Sequence, residues 1–363
     1  MHKKTHIKIV LILLLISMFI TACSKKDNDA SNIDVSIGEE NSIDKETNNT
    51  NEEENEEEEK IEVISSAGVP SPLSGLYVEK ERLERRPVAV MFDNDPKARW
   101  QAGLSQAEIV YEFLVEAPYT RYMGIFLINE PEIIGPVRSA RPYFIATLLE
   151  YDPLYVRVGG SEEAKADVKK YKVADIDGLY SGAFWRDTKK GKKAPNNLYT
   201  SMEGIRKEQD RLKYEEIGDY KSFSFYDKDT DIEGITAKEV LIKYYSKNIT
   251  KYKYDSESKV YKRYKDGKLH VDEIDESPII AKNIIIQEAN TKVIDELGRL
   301  EIKVIGEGKG KYITNGKCIN ITWKKKSLED KTTYYNEDGD EIKFNPGITW
   351  IQLTKPNPDI EIN

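Results

Sequence analysis

The chain has 363 residues with 55 Lys and Arg against 64 Asp and Glu, a net charge of −9, two cysteines and three histidines. Residues 24–60 hold fourteen acidic against four basic side chains, so residues 61–363 carry only −2. A near-neutral body lacks the basic face of a nucleic-acid binder, two cysteines exclude a disulfide framework, and so few histidines exclude a His-rich zinc site.

The first element is a leader. His2, Lys3, Lys4, His6 and Lys8 precede an apolar run from Ile9 to Ile20, and Ile20-Thr21-Ala22-Cys23 places small residues before a thiol. This pattern predicts a lipoprotein signal peptide over 1–22 with lipidation at Cys23. Twelve apolar residues make a helix of only about 18 Å, short of the ~20 residues that span a bilayer. The expected location is the outer face of the cell membrane, with the lipid on Cys23 as the membrane partner. Residues 23–70 are rich in Asn, Ser, Asp and Glu and have no aromatic side chain, which predicts a disordered acidic tether.

Beyond the tether, Val88 to Phe92, Ile109 to Val115, Arg121 to Ile128 and Leu154 to Val158 read as strands. Pro142 to Tyr151, Glu162 to Tyr171 and a segment from a capping box at Thr200-Ser201-Met202-Glu203 through Leu212 read as helices. After Lys221 come short β-branched and aromatic runs: 260–264, 284–288, 300–305, 317–323, 331–335, 341–344 and 349–353. Asp266-Gly267, Asn315-Gly316 and Asp338-Gly339 punctuate them as hairpin turns. One helix is expected at 236–247. The predicted fold is α+β overall, an α/β domain over 71–220 followed by a mostly antiparallel β domain over 221–363.

The chemistry-bearing residues are mainly arginines. Gly135-Pro136-Val137-Arg138-Ser139-Ala140-Arg141-Pro142 sets two cations at a helix start, against the macrodipole. Such a placement calls for an anion, either a ligand or an internal carboxylate such as Glu108, Glu112, Glu116 or Glu150. Gly159, Gly160 and Ser161 follow a strand and open a helix, a weak phosphate-cradle signal that an ordinary N-cap also explains. Arg121, Arg157 and Arg186 extend the arginine set. Asp93-Asn94-Asp95 fits a divalent-metal site or an Asx turn. Gly306 to Gly310 reads as a loop or bulge between strands. Cys318 reads as a buried apolar residue, and His270, the one histidine beyond the leader, sits in the strand-like run Lys268-Leu269-His270-Val271, which argues against a catalytic role.

Ala107-Glu108-Ile109-Val110-Tyr111-Glu112, Thr120-Arg121-Tyr122-Met123, the Arg138 motif, Gly159-Gly160-Ser161 and Ala194-Pro195-Asn196-Asn197-Leu198-Tyr199 resemble the YerB-like lipoproteins of Gram-positive bacteria. The similarity continues through Asn315-Gly316-Lys317, Ile321-Thr322-Trp323-Lys324 and Asn345-Pro346-Gly347-Ile348-Thr349-Trp350-Ile351. The resemblance implies two tandem domains of unknown function behind a lipid anchor, and it supplies no activity. Histidine is common in that family where this chain has Arg157 and Asn196, so imidazole chemistry there is not implied.

Three functional readings follow. In the first, Arg121, Arg138, Arg141, Arg157, Gly159, Gly160 and Ser161 bind an anionic wall or lipid-linked component, with no cofactor. In the second, the chain is a phosphoryl- or glycan-transfer enzyme in which Asp93 or Asp95 holds a divalent metal. In the third, the arginines are structural and the protein is an envelope assembly scaffold with a protein partner.

Overall fold

The computed structural model describes residues 68–221 and 223–363. The signal peptide, Cys23 and the tether up to residue 67 lie outside the described residues. Those described belong to one compact unit, and among them no helix is long and apolar enough to cross a membrane.

The first half opens with β1 (Val88–Asp93), β2 (Ile109–Leu114) and β3 (Thr120–Phe126), each buried along its whole length. Helix α1 (Pro142–Leu148) starts on its proline, where the missing N–H costs nothing, and buries Phe144, Ile145 and Leu148. Then come β4 (Leu154–Arg157), α2 (Glu162–Lys170), β5 (Ala174–Asp177), β6 (Trp185–Arg186), β7 (Leu198–Tyr199) and α3 (Met202–Leu212). The α3 cap lies one residue later than the capping box predicts. Ser201 Oγ accepts from Gly204 N at 3.0 Å, while Thr200 is turned away to donate to Ala183 O.

The second half holds β8 (Ile235–Thr236), β9 (Glu239–Tyr245), β10 (Asn248–Asp255), β11 (Val260–Lys265), β12 (Lys268–Leu269), β13 (Ile280–Ala281) and β14 (Asn283–Glu288). It continues with β15 (Thr291–Val293), β16 (Leu300–Ile302), β17 (Gly306–Thr314), β18 (Lys317–Lys325), β19 (Thr333–Tyr335), β20 (Thr349–Thr354) and β21 (Asp359–Ile362). The helix expected at 236–247 is replaced by strands, because Val240 and Ile242 alternate with more open neighbours at period two. Gly306–Gly310 is the start of β17, not a loop. Asp266-Gly267 and Asn315-Gly316 have positive φ throughout and close tight hairpins as expected.

The principal sheet has eleven strands in the order β8-β18-β17-β14-β20-β2-β3-β1-β4-β5, with β19 beside β18. Strand β20, from near the end of the chain, lies parallel to β14 on one side and to β2 on the other. It therefore joins the two halves into one sheet. A second sheet, β12-β11-β10-β9-β21 with β13 beside β11, stacks on the first. One face of the large sheet packs Met91, Phe113, Ile351 and Leu353 with α1; the opposite face packs Val90, Val110 and Trp350 with α3 and with Val240, Ile242 and Tyr252 of the second sheet. The fold is α+β with a β-rich second half.

Between the two sheets lies a fully buried charged cluster. Glu112 of β2 accepts from Arg263 Nη2 at 2.5 Å, Lys265 Nζ at 2.9 Å and Thr120 Oγ1 at 2.7 Å. Arg263 stacks over Trp350 at 4.3 Å and over Tyr122 at 5.1 Å. Burial opposes ionisation of Glu112, but the charges of Lys265 and Arg263 outweigh it and hold the carboxyl at about 2. Burial, helped by Arg263 and opposed by Glu112, brings the Lys265 ammonium down to about 8. His270 bridges Arg263 Nη1 at 2.6 Å and Gln101 Oε1 at 2.8 Å, and burial keeps its ring neutral.

Candidate functional site

The arginine motif sits where two parallel strands part. Strands β1 and β4 pair only over Val88–Val90 and Leu154–Val156. Beyond that, residues 137–140 run between them: Arg138 N donates to Met91 O at 2.8 Å, and Arg138 O accepts from Val158 N at 3.0 Å. The motif is thus held by backbone bonds at the carboxyl ends of β1, β4 and β5, the edge where open α/β sheets present side chains to a crevice.

Each predicted arginine meets a group of the chain itself. Arg157 takes both oxygens of Asp175, at 2.7 and 2.6 Å, and Asp177 Oδ2 at 2.7 Å; despite its burial, those bonds and charges raise its pKa. Arg141 Nε donates to Glu116 Oε1 at 2.7 Å, and Arg121 Nη1 to Ser139 O at 2.7 Å. Burial and then the charge of Arg141 lower Arg121 to about 10. Arg138 is the most open of the four, with 28% of its side chain exposed and Nε 3.1 Å from Asp93 Oδ2, outside hydrogen-bond alignment.

The predicted cradle is likewise engaged. Gly159 N donates to Asp177 Oδ1 at 2.9 Å, Ser161 Oγ caps α2 by accepting from Ala164 N at 3.2 Å, and Gly160 lies against Ala140, where an added Cβ would come within 3.1 Å. Asp93 accepts from Asp95 N at 3.0 Å and from Asn196 Nδ2 at 2.7 Å, while Asp95 accepts from Lys97 N at 2.8 Å. These two carboxylates form Asx turns. Among the described residues no group of three or more His, Cys, Asp or Glu could hold a metal ion. Of the four glutamates weighed as arginine partners, Glu116 takes that role. Glu112 holds the cluster between the sheets, Glu108 accepts from Ser71, Ser74 and two backbone amides, and Glu150 meets Thr332 and Lys325.

Asn196 leads from this framework into an open cleft of about 710 Å³, lined by Lys97, Arg99, Lys190, Lys192, Lys193 and Glu273 among others. The loop between β6 and β7 builds most of it. Lys192 is held: Nζ donates to Glu273 Oε1 at 2.5 Å, Trp100 O at 2.6 Å and Tyr199 Oη at 3.0 Å, and burial lowers its pKa. Tyr199 in turn donates to Glu273 Oε2 at 2.7 Å. Arg99 is matched by Asp266, and Lys190 Nζ reaches Glu273 O at 3.1 Å. Lys97 and Lys193 are exposed, and among the described residues their ammonium groups have no partner. Behind the loop, Trp185 stacks on Tyr199 with ring centroids 6.5 Å apart.

Sequence reasoning passed over this cleft. Its signal is the run Lys189-Lys190-Gly191-Lys192-Lys193, which disappears when charge is summed over residues 61–363. Lys97 and Glu273 come from distant segments and carry no local signal.

Two family descriptions match the chain: "Protein of unknown function (DUF3048) N-terminal domain" over residues 73–215 and "Protein of unknown function (DUF3048) C-terminal domain" over residues 240–351. YerB of Bacillus subtilis (strain 168), named as a candidate lipoprotein, is 36% identical over 296 residues, covering 80% of this chain and 87% of that one. A crystal structure of YerB from Bacillus subtilis superposes with a TM-score of 0.74 at 34% identity, covering 81% of this chain and 99% of the other.

Proposed function

Since the chain belongs to the YerB-like family of tandem DUF3048 domains, we propose that it is a lipid-anchored protein on the outer face of the cell membrane that binds an anionic envelope component in the lysine cleft. The observation that carries this reading is the charge imbalance of the cleft: five cationic side chains line it against one carboxylate, Glu273, which Lys192 already neutralises. Asp266 matches Arg99, and among the described residues Lys190 is tied only to the Glu273 carbonyl. Lys97, Lys190 and Lys193 then carry the unmatched positive charge, as lysine does for phosphate and carboxylate groups. The arginines serve the same site from behind. Arg138 and Asn196 converge on Asp93 and fix the cleft wall, while Arg121, Arg141 and Arg157 anchor the motif.

Binding is favoured over phosphoryl or glycan transfer by the carboxylates. Asp93 and Asp95 are committed to backbone amides, Asn196 and Arg138, and neither projects alone into the cleft.

The test is calorimetric titration of the chain from residue 54, whose described residues belong to one compact unit, with inorganic tripolyphosphate. Binding is expected to weaken as salt rises toward the ~0.15 M range where the Debye length is about 8 Å. The Lys97→Ala/Lys193→Ala double variant should lose roughly tenfold in affinity, about 1.4 kcal/mol for two exposed charges. Unchanged binding in that variant would place the anion elsewhere and sink the reading.

A further inference from the structure

We infer that the anion taken by the lysine cleft is carried on a glycan, with one sugar ring packed against Trp185; this rests on the cleft reading above and narrows it to a ligand class. Of the four tryptophans, Trp323 and Trp350 are buried at 2% and 0%, whereas Trp185 keeps 40% of its surface in solvent. A single exposed tryptophan carries no message alone. What distinguishes this one is how firmly it is held and what stands next to it.

Trp185 sits on β6, paired with β7 through Tyr199, and its ring lies at 24° to that of Tyr199. Tyr199 is itself buried and fastened through its hydroxyl to Lys192 at 3.0 Å and Glu273 at 2.7 Å. The Lys192 ammonium also lies 5.6 Å from the Tyr199 ring centroid. Lys192 and Glu273 both line the cleft. Trp185 stands next to the cleft wall without lining it: it stacks on Tyr199, whose hydroxyl bonds two residues that do line the cleft, Lys192 and Glu273.

That pairing selects among anions. A sugar ring offers an apolar face of C–H groups to the electron-rich face of an indole, and a phosphate or carboxylate on the same chain reaches the lysines. A bare polyphosphate has no ring to stack. A membrane surface offers anionic headgroups but is broad and flat, while the cationic site is concave and of a size suited to a few sugar units. The geometry thus favours an anionic glycan strand over a lipid surface.

The experiment compares three probes on the chain from residue 54: inorganic tripolyphosphate, a poly(N-acetylglucosamine phosphate) oligomer and phosphatidylglycerol vesicles. Titrations are followed by calorimetry and by tryptophan fluorescence. The oligomer is expected to bind more tightly than tripolyphosphate and to shift the emission. Trp185→Ala should lower oligomer affinity roughly tenfold, the scale of one aromatic stacking contact, with tripolyphosphate affinity unchanged as the internal check on folding. Trp185→Phe should recover part of the loss. If Trp185→Ala weakens neither probe, or both equally, the stacking inference fails while the cleft stands. If the Lys97→Ala/Lys193→Ala variant binds all probes as wild type does, the cleft reading itself fails. Binding to vesicles that needs Trp185, with none to the oligomer, overturns the glycan in favour of a membrane.

Discussion

Neutralising Glu112 would leave Arg263 and Lys265 side by side and out of reach of bulk solvent, because both cations and the carboxylate are fully buried. Breaking such a group by removing one partner costs about 3–5 kcal/mol, so Glu112→Gln should show a loss of that size in a urea titration at neutral pH. The pH dependence follows from the same residue. Its folded-state pKa of about 2 lies below the ordinary 4.5, so the stabilisation is complete above pH 4.5 and is lost as pH falls toward 2. A shift of that size corresponds to about 3 kcal/mol, and urea titrations of the wild type at pH 5 and pH 2.5 should register a drop of that order. An acid limb as flat as that of a variant lacking Glu112 would contradict it. Glu112 stands out in the sequence as an acid within an apolar strand, but its partners, Arg263 and Lys265, lie some 150 residues later with no local signal linking them to it. Arg138 and its neighbours were legible for the opposite reason: the motif is contiguous, and its ends are marked by prolines.

Strand β17 shows what a local reading misses between elements. Gly306, Gly308 and Gly310 look like loop punctuation, yet the strand continues through them because its neighbours press close. A Cβ on Gly308 would lie 2.6 Å from Trp323 Nε1 and 2.8 Å from Glu288 O, the two atoms of the hydrogen bond Trp323 makes across the sheet at 2.8 Å. The glycine is there for packing, not for φ. Gly308→Ala should therefore cost about 1–3 kcal/mol by overpacking, whereas Lys309→Ala on the same strand should be near neutral; paired denaturation curves check the difference. Equal small effects would mean the strand yields easily at this point. The 236–247 segment errs the other way, since its Lys, Leu and Glu content suits a helix while the alternation of Val240 and Ile242 decides for a strand against β10 and β21. Strands β1 to β4 and the three helices α1 to α3 were legible because long apolar runs and caps are local signals, whereas the short β5, β6 and β7 carry no such run and were missed.

Across the whole molecule, the matched family regions end at 215 and resume at 240, but the large sheet passes through that gap. Strand β20 gives β2 its parallel neighbour, and the second sheet gives Glu112 its cations. Residues 71–220 made alone would expose the open edge of β2, a template for aggregation, and would leave a bare carboxylate beside it. Calorimetry of the chain from residue 54 should accordingly show one cooperative transition, and the isolated first half should be insoluble or unfolded by circular dichroism. Two well-separated transitions would argue that the halves are energetically independent. Halves of different sequence grammar are visible without a structure, but a strand that crosses from one to the other is not.

The place of β20 in chain order also bears on how the protein is born. A ribosome delivers residues 109–114 long before residues 349–354, so early in synthesis β2 can find β3 but not the neighbour that completes its other edge. That edge must stay open until residues 349–354 have emerged, and only then can the first half close around its core.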